Sequence, residues 1–154
     1  LFIERETDSG IRIGLDYIPI EGAMGEQSRS DTDYTTGAGA SVTRKAKADL
    51  KNHVTLYTEF PLGSGGFYGR AGLTHVTIST DENLDTTGST YPDADVFGLN
   101  LGVGHMRDLG TSGFLKIAIN YVDYEDVELT SSSSNKITAD ADRTGLQFSF
   151  GKKF

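Results

Sequence analysis

Arg12, Lys51, Arg70, Lys116 and Arg143 each fall on the polar parity of a segment that alternates polar and apolar residues, and Asp16, His53 and Glu59 share that parity. In an extended strand one parity is one face. Eight such side chains on one face form either a path for a charged solute or a mutually neutralising network that packs a narrow interior. The network is favoured, because a charge removed from water must be paired or hydrated.

His53, His75 and His105 raise the question of a metal or nucleophilic site. His75-Val-Thr77 comes nearest to a nucleophile beside a base, but the serine of such a pair is missing, and a base must reach both its nucleophile and its orienting carboxylate. His53 belongs to the polar face and the other two to the apolar face, so the three do not converge. No catalytic residue, metal site or cofactor is therefore expected. Asp81-Glu-Asn-Leu-Asp85 offers oxygen ligands without the spacing of a calcium loop. Gly98-Leu-Asn-Leu-Gly-Val-Gly104 lies within a strand-like run with no helix after it, which removes a phosphate-binding reading.

The elements that must hold these residues are strands. With 19 glycines and 36% hydrophobic residues in 154, the chain is poor material for a helical bundle. Alternation recurs over residues 10–22, 49–61, 66–80, 94–106, 113–125 and 142–154, each long enough for a tilted membrane strand of about 9 to 11 residues. The connections at 7–10, 62–66 and 107–113 are short. Those at 23–48, 81–93 and 126–141 are long, polar and read as loops, although residues 35–47 could instead prolong the following strand. Short and long alternate strictly, so in a meander all long connections share one end. The whole chain reads as one domain. Its formal charge of −8 sits largely in the long connections, and without a basic footprint nucleic acid is not expected as a partner. There is no cysteine, hence no disulfide framework.

One face of these runs is apolar: Ile11, Ile13, Leu15, Tyr17; Leu50, Val54, Leu56, Phe60; Phe67, Leu73; Phe97, Leu99, Leu101, Val103; Leu115, Ile117, Ile119, Tyr121. The other carries the charges together with most strand glycines. A soluble barrel would turn the apolar face inward and leave small residues on the surface, whereas a membrane barrel puts them in a crowded lumen. The second arrangement is the better fit.

Leu146, Phe148, Phe150 and Phe154 continue the apolar face to the end of the chain. This terminal alternation resembles the closing strand of Gram-negative outer-membrane β-barrels, with Lys152 in a position where an apolar residue is more usual. In that superfamily the terminal aromatic motif is a signal read by the barrel-assembly machinery. The resemblance implies an antiparallel up-and-down transmembrane β-barrel, all-β, in the bacterial outer membrane, with membrane lipid and lipopolysaccharide as surroundings. Six strands and the stub Leu1–Glu6 make seven, and bacterial barrels of this kind have even numbers, so eight strands are expected with the first missing from the chain. A non-enzymatic surface or envelope role is expected, with a narrow channel and a lipid-modifying enzyme as alternatives.

Overall fold

A computed structural model describes residues 1–33, 39–83, 90–132, 134 and 136–153. It is all-β. The strands are β1 (Phe2–Glu6), β2 (Arg12–Ile18), β3 (Gly22–Asp33), β4 (Ala40–Pro61), β5 (Phe67–Asn83), β6 (Ala94–Leu109), β7 (Gly113–Tyr124), β8 (Val127–Thr130), β9 (Lys136–Ala139) and β10 (Asp142–Lys152). One antiparallel sheet runs in the order β1-β2-β4-β5-β6-β7-β10, with β3 also paired to β4, while β8 and β9 form a separate hairpin. β2 pairs with residues 53–59 of β4 and β3 with residues 40–50, so β3 stands above β2 along one edge of the same strand. Seven strand positions thus follow one another along a curled sheet that forms a half-barrel.

The alternation places the faces as the sequence suggests. Ile13, Leu15, Leu56, Leu73, Leu99, Leu101, Ile119, Leu146 and Phe148 are exposed on the convex side, with Leu101 at 59% and Phe148 at 62%. The buried concave face holds Arg12, Asp16, His53, Glu59, Arg70, Asn100 and Lys116.

Glycine lets this interior accept aromatic rings. Tyr57 faces Gly14 across the β2–β4 ladder, and Tyr68 faces Gly104 across β5–β6. A β-carbon at Gly14 would stand 2.5 Å from the Tyr57 ring, and one at Gly104 would stand 2.5 Å from Tyr68 and 2.8 Å from the Ile117 carbonyl oxygen. Neither ring could lie flat across the lumen otherwise.

Three sequence expectations change. Residues 23–48 are not mainly loop: β3 and the upper half of β4 form a hairpin, because backbone pairing can run on above the apolar zone, where both faces meet water and no alternation is needed. Residues 126–141 contain the β8–β9 hairpin, anchored by buried Val127. The third change is a bulge in β4 between Lys51 and Val54, where Asn52 takes a φ of 53°. Asparagine tolerates that left-handed conformation better than most residues. The extra residue reverses the faces above it, turning Leu50 inward onto an apolar cluster and Lys51 outward.

Gly104→Ala is expected to destabilise the fold by about 1 to 3 kcal/mol through overpacking against Tyr68 and the backbone. Gly25, with nothing within 4 Å of its added β-carbon, should tolerate alanine within about 0.5 kcal/mol. Denaturant unfolding of the two variants in detergent measures the contrast.

Candidate functional site

The concave face gathers most of the predicted polar residues into two connected layers. In the lower layer Glu59, at 1% exposure, accepts hydrogen bonds at Oε2 from Arg12 Nε at 3.0 Å and from Lys116 Nζ at 2.7 Å. Lys116 Nζ also donates to Glu4 Oε1, which accepts from the Tyr57 hydroxyl at 2.6 Å. The register makes this geometry: Arg12 and Arg70 lie beside Glu59 on the two neighbouring strands, and Glu4 lies beside Gly14 on β1.

Above it, Gln147 Nε2 donates to Asp16 Oδ2 at 2.7 Å, while Gln147 Oε1 accepts from Asn120 Nδ2 at 2.9 Å and Arg70 Nη1 at 3.2 Å. Arg70 Nη2 lies 3.6 Å from Asp16 Oδ2. The Arg70 guanidinium sits 3.6 Å from the centroid of the Tyr57 ring, so that ring joins the layers by a cation–π contact. Higher still, Arg143 Nη1 approaches His53 Nε2 at 3.3 Å.

Seven of the eight predicted lumen residues are therefore brought together, and the eighth is corrected. Lys51 lies outside the network, bonded through Nζ to Ser79 Oγ at 3.1 Å and near Glu21 at 3.8 Å, because the Asn52 bulge turns it outward. Glu4, Tyr57, Asn120 and Gln147 belong to the network as well. Phe2, Glu4 and Glu6 share one parity of the short first segment, but each parity there mixes apolar and charged residues, so the sequence carries no clear signal for Glu4. Leu146, Phe148 and Phe150 share the exposed convex face, while Phe154 lies outside the described residues.

The upper interior is apolar. Val76, Ile78, Val96, Val122, Tyr124 and Val127 form a buried cluster against which Leu50 and Leu129 pack. A side chain from the β8–β9 hairpin thus helps to close the space above the polar layers.

Other candidates do not assemble. His105 packs edge-on against Phe67 on the convex side, and His75 lies against Phe97 there. Asp95 Oδ1 accepts from the Thr77 hydroxyl at 2.8 Å and lies 3.4 Å from His75 Nε2. That hydroxyl is bonded to the carboxylate rather than to the imidazole, which is the wrong order for a nucleophile and its base. Asp81 and Asp85 cannot be compared, since residues 84–89 lie outside the described ones. Among the described residues no group of three His, Cys, Asp or Glu could hold a metal. At the base of the β8–β9 hairpin, a hydrogen bond and like charge from Asp140 hold the Asp126 carboxyl above the usual range. Beside the upper hairpin, the Asp49 carboxylate, 2.6 Å from Lys47 Nζ, holds that amine above its usual value.

Lys116→Met is expected to cost about 3 to 5 kcal/mol, because it leaves Glu4 and Glu59 short of a cation in a buried site. Adding Glu4→Gln to that variant should recover part of the loss. Unfolding midpoints of the single and double variants in detergent test this coupling. No protein-family model, curated protein or solved structure matches the chain, so the site's chemistry is read from its own geometry.

Proposed function

We propose that this protein is an integral β-barrel of the bacterial outer membrane with a non-enzymatic surface or envelope role, in structure, adhesion or attachment. The observation that carries this reading is the inversion of the sheet: large apolar side chains cover the convex face and an ion-pair network fills the concave one. Water-soluble monomers seldom expose a continuous apolar patch beyond about 300 to 600 Å². Here four successive outward positions on β6, from Phe97 to Val103, are apolar, and the neighbouring strands continue the band. That stretch is about 20 Å along the strand at roughly 3.3 Å per residue, comparable to the apolar band of an outer-membrane barrel. Asp95, Asp123 and Asp142 stand at the upper edge of this band, beside the long connections.

The closed form of this reading has eight strands. β1 and β10 each carry a ladder on one side only among the described residues. In lipid such an edge is untenable. Six antiparallel ladders separate β1 from β10, so the two edges run the same way, and one strand opposite to both completes an all-antiparallel wall.

A surface role is preferred to a channel because the lumen is obstructed twice, by the Glu59 layer below and by the Val76–Val122 cluster above. Membrane lipid and lipopolysaccharide are then its surroundings, the assembly machinery its partner in biogenesis, and Leu146, Phe148 and Phe150 part of the signal.

Leu101→Arg should cost about 2 to 4 kcal/mol in a lipid-folding assay, as expected for a cation on the lipid face. The folded protein should show heat-modifiable migration in detergent and no steady conductance in planar bilayers. An epitope inserted after Ser134 should be detected on intact cells. A folded, monodisperse sample in plain buffer would refute the membrane reading, and steady conductance would move the function to solute passage.

A further inference from the structure

The convex face of β6 changes character within three outward positions. Val103 is apolar, His105 packs edge-on against Phe67 at 4.8 Å with a ring nitrogen 3.0 Å from the Gly65 carbonyl oxygen, and Arg107 ends the column at the short-turn end of the sheet. β10 repeats the pattern two strands away. Leu146, Phe148 and Phe150 are exposed and apolar, and Lys152, exposed as well, closes that column. A hydrocarbon band that stops on two long cationic side chains marks a boundary between lipid tails and headgroups.

The wall between these columns is shaped. A groove of about 260 Å³ crosses it from β5 to β10, bordered by Leu62, Phe67, Val103, Ile117, Ile119 and Leu146. Arg107 follows directly below, two residues beyond His105, which also lines the groove. Arg107 lies beside Leu115 and Lys152 beside Gly113, on the two strands that flank β7. From the ladder and strand spacings their backbones stand roughly 12 Å apart. Gly113 puts no side chain between them, so an extended arginine and an extended lysine reach a common point over β7. The adjacent carboxylate, Asp108, is taken by Lys153 at 2.7 Å, and among the described residues Arg107 has no carboxylate partner.

We propose that this groove and the two cations below it form a binding site for one anionic glycerophospholipid of the leaflet at the short-turn end. Its phosphate is held between Arg107 and Lys152, and an acyl chain lies in the groove. The proposal rests on the membrane reading and adds a lipid class and a place on the wall. Arginine and lysine both give a phosphate charge-assisted hydrogen bonds. A zwitterionic headgroup brings its own ammonium to the same spot and offsets part of the attraction. A second copy of the chain is a poor occupant, because two copies meeting through this face in one membrane bring Arg107 and Lys152 against their own equivalents.

The test uses the protein folded in phosphatidylcholine vesicles containing a minor fraction of phosphatidylglycerol. One lipid or the other carries a photoreactive group in its acyl chain, and labelled peptides are identified by mass spectrometry. Photoreactive phosphatidylglycerol should label residues 103–107 and 113–119 at least about tenfold more than phosphatidylcholine at equal concentration, at roughly fivefold for each of two cations near a membrane surface. Arg107→Gln with Lys152→Gln should bring the two lipids to parity, while Arg107→Lys with Lys152→Arg keeps most of the preference. Arg5→Gln removes an exposed cation from the same end of the sheet, on β1 and away from the groove, and should leave the labelling unchanged. Equal labelling by the two lipids overturns the proposal. So does an equal loss in Arg5→Gln, which shows charge acting diffusely along the rim, and so do crosslinks between copies in place of lipid adducts. Heat-modifiable migration reports that each variant has folded; if the double variant does not, Arg107→Gln alone decides, with about a fivefold loss expected. Labelling of Leu101 and Phe148 by photoreactive phosphatidylcholine tests the membrane reading separately. Its absence refutes that reading, whereas its presence without the phosphatidylglycerol preference refutes only the site.

Discussion

Glu59 is the contact on which the interior turns. Its carboxylate is almost fully buried, and holding a charge there is costly unless cations surround it. Arg12 and Lys116 meet that requirement from β2 and β7, strands that share no ladder. The network therefore fixes more than local geometry: it draws opposite walls of the curled sheet toward one another and sets the curvature. A sheet with an apolar interior would gain burial from any tight packing. One with a charged interior is restricted to the curvature at which donors and acceptors meet, and a half-satisfied network is less stable than none.

That restriction explains why glycine and tyrosine occur together. Arg70 and Lys116 need aromatic faces beside them to reduce exposure without removing favourable electrostatics, and Tyr57 and Tyr68 supply those faces. A ring can lie across the lumen only where the neighbouring strand has no β-carbon. Glycine at the cross-strand position is thus a packing requirement of the charged layer. It also makes sense of a composition that would weaken ordinary strands, since glycine in a strand is costly unless something packs into the space it leaves.

Much of this was legible in the chain because period-two alternation is rigid. Once Leu99 and Leu101 face out, Gly98, Asn100 and Gly102 must face in, and the same logic placed seven of the eight lumen residues. It failed at Lys51 for a local reason. One asparagine in the left-handed region adds a residue to β4 and reverses every face above it, and nothing in the alternation of Leu50-Lys-Asn-His53 marks which residue is extra. Glu4 escaped because five residues of strand give too short a pattern to assign a face. The β3 strand escaped because alternation reports the contrast between two environments, and a hairpin with water on both sides has no contrast to report. The upper apolar cluster lay in plain sequence as Val76, Ile78 and Val122. A face expected to be polar throughout hid it.

The change along the lumen from charge to hydrocarbon constrains where activity can lie. A conducting path needs polar groups that exchange partners along its length, and here the path would have to cross both an ion-pair layer and a buried apolar cluster that includes Val127. Moving either obstruction would expose unpaired charge or apolar surface, so the interior is suited to holding shape. The parts free to meet other molecules lie above the band: the β3–β4 hairpin, which continues well past the last outward leucine of β4, and the β8–β9 hairpin, tied to residue 90 by the hydrogen bond from Ser132 N to the Thr90 carbonyl oxygen. On the surface role proposed above, rigid walls below and paired strands above would serve as a platform, with recognition falling to the polar faces of those hairpins rather than to the interior.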